Sequence, residues 1–164
     1  MKNNTKKQQM EQQKQTKQLS SRYRRIFLLR YFLVGLFFAN LYWFLMLLLS
    51  QNWSALLPLS LLVLSGAAYR EQLKFANSTE HQFLLKKNKI YFKIQSVVMI
   101  FLLLSLFNRL FFNVFFPFLN FDAQLNLILG LTFTFVLLLS LFCQKRVGDI
   151  ADNRDRYYLK YEKQ

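Results

Sequence analysis

The residues in this chain that could do chemistry are few, and their spacing keeps them apart. The one histidine, His81, lies in the basic stretch REQLKFANSTEHQFLLKKNK, and the one cysteine, Cys143, closes an apolar run. A lone cysteine and a lone histidine supply neither a metal-ligand set nor a nucleophile with its base, and one cysteine makes no disulfide within the chain. The sequence contains no HExxH, no paired-aspartate metal motif and no nucleophile elbow. It therefore reads as a protein that is not an enzyme, with no catalytic, cofactor-binding or metal-binding residues and no cofactor.

One charge stands out. LLSLFNRLFFNVFFPFLNFD, residues 103–122, carries a single arginine, Arg109, inside a run that otherwise resembles hydrocarbon. A cation in the middle of a membrane costs several kcal/mol and marks function, whereas one at the edge anchors. Which of the two applies depends on the elements around it.

The chain has 164 residues, 54% of them hydrophobic, with 19 Phe, yet a net charge of +14. A soluble domain of this size has too much surface per volume to bury so much Leu and Phe. The two properties are compatible because they occupy different places: basic blocks alternate with apolar runs. This excludes a nucleic-acid binder as the meaning of the charge, since Lys and Arg at the cytoplasmic flanks of membrane helices serve as topology signals. The abundance of Lys, Asn, Phe and Leu with only 4 Gly and 2 Pro points to an AT-rich genome, hence to the plasma membrane of a low-GC bacterium.

Four apolar runs predict a four-span α-helical bundle, with spans over 26–50, 53–69, 90–109 and 125–143. Residues 1–25 are almost devoid of apolar side chains and read as a disordered basic cytoplasmic tail. Residues 70–89 form a basic cytoplasmic loop, where Thr79 and Gln82 fit a capping box, and 144–164 form a polar cytoplasmic tail. Lys and Arg number nine up to Arg30, six from Arg70 to Lys93 and six after Cys143, against Arg109 alone in the loops between. That asymmetry predicts both termini inside.

With this topology Arg109 falls at the outer edge of the third span, as an interfacial anchor. The phenylalanine-rich stretch 110–122 is then expected to lie in the outer interface. Asp122, the one acid outside, is expected at the N-cap of the fourth span and as the ion-pair partner of Arg109. No Asp, Glu or His falls inside a span, so a proton relay has nothing to run on. Small and polar residues remain at depth: Gly35, Ala39 and Asn40 in the first span, Gly66 in the second, and Gly130 and Thr134 in the fourth. They are candidates for helix packing or partner contacts.

The function expected is that of an accessory, scaffold or protective (immunity-type) membrane protein acting through helix–helix contacts. A transporter component or small oligomeric pore is the alternative. The expected partners are the lipid bilayer, with anionic headgroups at the cytoplasmic face, and a membrane protein or further copies of the chain.

Overall fold

A computed structural model of the chain describes residues 2–77, 85–152 and 154. His81, the capping box at Thr79 and Gln82, and residues 155–164 lie outside them. Among the described residues every regular element is helical: α1 (Lys2–Leu49), a 3-10 turn (Trp53–Ala55), α2 (Leu56–Asn77), α3 (Lys86–Ser105), α4 (Arg109–Phe115) and α5 (Ala123–Ala151). α1 packs on α2, α2 on α3, and α3 on α5.

α1 is longer than its apolar run. Residues 2–25, expected to be disordered, continue the same helix. Gln, Lys, Glu and Met are good helix formers, and neither Gly nor Pro occurs before Gly35. Extending a helix that residues 26–49 already nucleate costs far less than starting one. α1 then ends in a Schellman motif: the N–H of Asn52 donates to the Leu47 carbonyl at 3.1 Å and that of Gln51 to Leu48 at 3.0 Å. Gln51 occupies the left-handed position, at φ 50°.

Among the described residues, three helices are long and apolar enough to cross a membrane: Ile26–Leu49 within α1, Lys86–Ser105 and Ala123–Ala151. That is fewer than the four expected. In α2 the apolar α-helical part, Leu56–Tyr69, is only ~21 Å long at 1.5 Å per residue, and the helix then runs on through Arg70, Glu71 and Lys74.

The third apolar run also differs from expectation. α3 stops at Ser105, and Arg109 opens α4 instead of closing α3. Asn108 is the cause: its backbone is extended, and its side-chain oxygen accepts the Leu110 N–H at 2.9 Å. This is what an N-cap asparagine does best. The segment 110–122 has two sides, with Leu110, Phe111, Val114, Phe118 and Phe121 exposed on one. Phe112, Phe115 and Phe116 share one helical stripe and are buried against Trp43, Leu47, Met99 and Leu102.

The buried apolar side chains form two clusters. One gathers Ile26, Leu29, Leu33 and Leu36 of α1 with Ala68 and Phe75 of α2, Tyr91 and Phe92 of α3, and Cys143, Val147 and Ile150 of α5. The other gathers Trp43 and Leu47 with Met99, Leu102 and the phenylalanines of α4. Successive long helices therefore run in opposite directions between a basic end and an aromatic end.

Candidate functional site

Between the two apolar clusters lies a level of buried polar side chains. On α1, Asn40 sits between Leu36 and Trp43; on α3, Gln95 and Ser96 sit between Phe92 and Met99; on α5, Ser140 precedes Cys143. All four are buried, Gln95 and Ser140 completely. One part is satisfied: the Gln144 amide donates to the Ser96 hydroxyl at 2.7 Å and to the Phe92 carbonyl at 3.0 Å, fastening α5 to α3. The rest is not. Both polar atoms of Gln95 and the Ser140 hydroxyl have no hydrogen-bond partner among the described residues, and the Asn40 amide has only the Tyr91 hydroxyl beside it. Such groups are costly when buried, so a level of them is a place for a polar guest, another helix or water. Amides and hydroxyls bind by hydrogen bonding; they offer no proton to exchange and no activated nucleophile.

At the basic end a second polar group ties α2 to α3. The Glu71 carboxylate accepts the backbone N–H of Lys87 at 3.1 Å and of Asn88 at 2.9 Å, capping α3 from a neighbouring helix. Leu85, at the N-cap itself, supplies no such bond. A carboxylate there is favoured by the helix dipole. The Asn88 amide donates to Glu71 at 2.8 Å and to the Ala68 carbonyl at 3.0 Å, and its oxygen accepts from Gln72 at 2.7 Å. Gln72 and Asn88 are both buried.

Also at this end, Arg30 donates to the Tyr69 hydroxyl at 2.9 Å, its guanidinium carbon 5.4 Å from the ring centroid. At the aromatic end, three side chains hold the last carbonyls of α4. The Trp43 indole donates to Phe115 at 3.0 Å, while Asn52 and Ser54 donate to Val114 at 2.9 and 2.8 Å.

The residues singled out from sequence are scattered across this frame. Asn40 is buried in the polar level. Gly35 and Ala39 are exposed, and nothing lies within 4 Å of a Cβ added at Gly35. Gly66 is exposed, while its neighbours Ser65 and Ala68 are buried. Gly130 faces Leu106, whose Cδ1 lies 3.6 Å from an added Cβ. Thr134 is exposed and returns its hydroxyl to the Gly130 carbonyl at 2.7 Å. Arg109 is exposed, and Asp122 occupies the N-cap of α5 without a side-chain bond to its first turn. No ion pair joins these two among the described residues; each lies exposed at the start of its own helix. Sequence reasoning missed Gln95, Gln72, Asn88 and Glu71. Gln95 carried a signal, an amide standing next to Ser96 within an otherwise apolar run from Ile94 to Leu104; the others sit among polar residues that mask them.

No group of three or more His, Cys, Asp or Glu that could hold a metal occurs among the described residues. The fold defines an all-helical protein with three helices able to cross a membrane. No protein-family model matches the chain, and no curated protein or solved structure is significantly similar to it.

Proposed function

We propose that this is a membrane protein of four crossings with both ends in the cytoplasm, serving as an accessory, scaffold or protective protein by docking α5 against another membrane protein. The observation that carries this reading is the coverage of α5. Only 6% of its apolar window is buried, against 28% for α1 and 44% for α3. Its open side has a pattern: Leu127, Leu131, Thr134, Leu138 and Leu141 are all exposed and recur at alternating steps of four and three. That spacing keeps one seam facing a partner helix. A small residue such as Thr134 within the seam allows close approach, which is how helices associate where lipid gives no hydrophobic drive.

α2 is counted as a crossing for electrostatic reasons. If α1 crosses, a second crossing must return the chain before Lys86, Lys87 and Lys89, or those lysines would lie on the outer side against the positive-inside rule. The preceding 3-10 turn lengthens the apolar stretch back to Trp53.

A photo-crosslinking amino acid at Leu131 or Leu138, expressed in the native host, tests the docking. A discrete adduct from these positions, and none from Tyr42 on the exposed side of α1, is expected. Equal labelling from both helices would end the proposal. The transporter or pore reading keeps one supporting observation, the unbonded amide of Gln95 in the buried polar level. The packed phenylalanines of α4 across the aromatic end count against it.

A further inference from the structure

We propose that the groove between α1 and α2 holds one acyl chain of an anionic phospholipid whose phosphate pairs with Arg30. The groove has a volume of about 300 Å³ and is lined by Leu33, Phe37 and Phe38 on one side and Gly66 and Tyr69 on the other. Its surface is wholly apolar. The Ser65 hydroxyl is turned back onto the Leu62 carbonyl at 2.7 Å, and the Tyr69 hydroxyl is held by Arg30 at the groove's end. The absent side chain of Gly66 leaves the floor open, since an added Cβ would meet nothing within 4 Å. Such a surface suits a hydrocarbon chain and offers nothing to a polar guest.

The charge sits at one end. Arg30 lies one helical turn toward the basic end from Leu33, and its partner Tyr69 itself lines the groove. From Arg30 to Phe38 along α1 is ~12 Å at 1.5 Å per residue, close to half of a ~30 Å hydrocarbon core. A phosphate at Arg30 and a chain along the groove therefore match one leaflet of lipid. The guanidinium is held in advance by the Tyr69 hydroxyl and ring, so little side-chain freedom is lost on binding. The Tyr69 hydroxyl accepts from Arg30 and can give its own proton to the same phosphate. A net-anionic headgroup is favoured over a zwitterionic one because the second charge of the latter opposes Arg30.

This inference rests on the membrane placement proposed above, which carbonate extraction of cell membranes tests separately: a chain released by carbonate fails both. The site itself is tested on the full chain, purified in mild detergent, by native mass spectrometry with added phosphatidylglycerol, phosphatidylcholine or inorganic phosphate. One phosphatidylglycerol is expected to be retained roughly fivefold better than phosphatidylcholine, the preference that one well-placed cation supplies. Arg30→Gln should abolish that preference. Gly66→Leu, whose Cβ meets no neighbour within 4 Å and whose side chain extends into the groove, should lower retention of both lipids, and Tyr69→Phe should weaken the preference while keeping the ring. Arg109→Gln, with its arginine outside the groove, should change nothing. Thermal melting of each variant confirms that it is folded. Retention of phosphatidylglycerol by folded Arg30→Gln or Gly66→Leu at the wild-type level would overturn the proposal, as would equal retention of the two lipids or displacement by inorganic phosphate.

Discussion

Asn88 shows how much a single amide can hold. It is fully buried and bonds Glu71, Gln72 and the Ala68 carbonyl at once, so its loss unseats two buried groups and a half-buried carboxylate. Asn88→Leu is expected to destabilise the protein by about 2–4 kcal/mol, since buried polar partners left unpaired cost 1–3 kcal/mol each and partly relax. Reversible unfolding in mixed micelles measures it; a loss below that of an ordinary surface substitution would refute the account. Gln51 gives a prediction of opposite sign. It holds the left-handed position of the turn after α1 at φ 50°, where a side chain is strained. Gln51→Gly should stabilise by ~0.5 kcal/mol or more, and Gln51→Val should destabilise by ~1 kcal/mol, both read as shifts in the same unfolding midpoint. At this scale the sequence was partly legible. Asn40 announces itself because it interrupts an apolar run. Gly35 and Ala39 share an exposed face of α1, because a four-residue step says which residues share a helix face and not which face the fold covers. Gln72 and Asn88 gave no signal, because burial of a polar residue beside a charged loop depends on which helix comes to lie over it.

The elements were legible where composition is uniform and obscure where a cap decides. Long apolar runs located α1, α3 and α5, but the break between α3 and α4 turns on one side chain, Asn108, within a continuous apolar stretch. α4 is also held from outside itself, by Trp43, Asn52 and Ser54 on its last carbonyls. Trp43→Phe keeps the ring against Phe116, which it stacks at 5.8 Å, and removes only the indole bond. Stability should fall by about 1 kcal/mol. Amide hydrogen exchange should rise across 112–119 and stay unchanged across 86–95. Faster exchange at both sites would mean that α4 is not separately secured.

At the scale of the whole molecule, topology is the first prediction to check. On a Cys143→Ser background, Asn120→Cys should react with an impermeant thiol reagent applied to intact cells, and Lys86→Cys should not. Both positions are exposed, so reactivity reports sidedness, and the reverse pattern would invert the molecule. The dimensions then carry a consequence. The apolar stretch of α2 with its 3-10 turn is bounded by Trp53, 87% exposed, and by Tyr69, two residue types that settle at the membrane–water boundary. Between them lie ~27 Å of helix, from 2.0 Å per residue in the turn and 1.5 Å in α2. A typical hydrocarbon layer is ~30 Å thick and sterol-rich membranes exceed that, so if α2 crosses as proposed, the bilayer thins to meet it at a cost of fractions of a kcal/mol per Å. On the proposed four-crossing topology, α2 would act as a ruler for membrane thickness. The protein should melt at a higher temperature in vesicles of shorter-chain phosphatidylcholine than in longer-chain ones, and it should redistribute toward the thinner regions of a mixed bilayer.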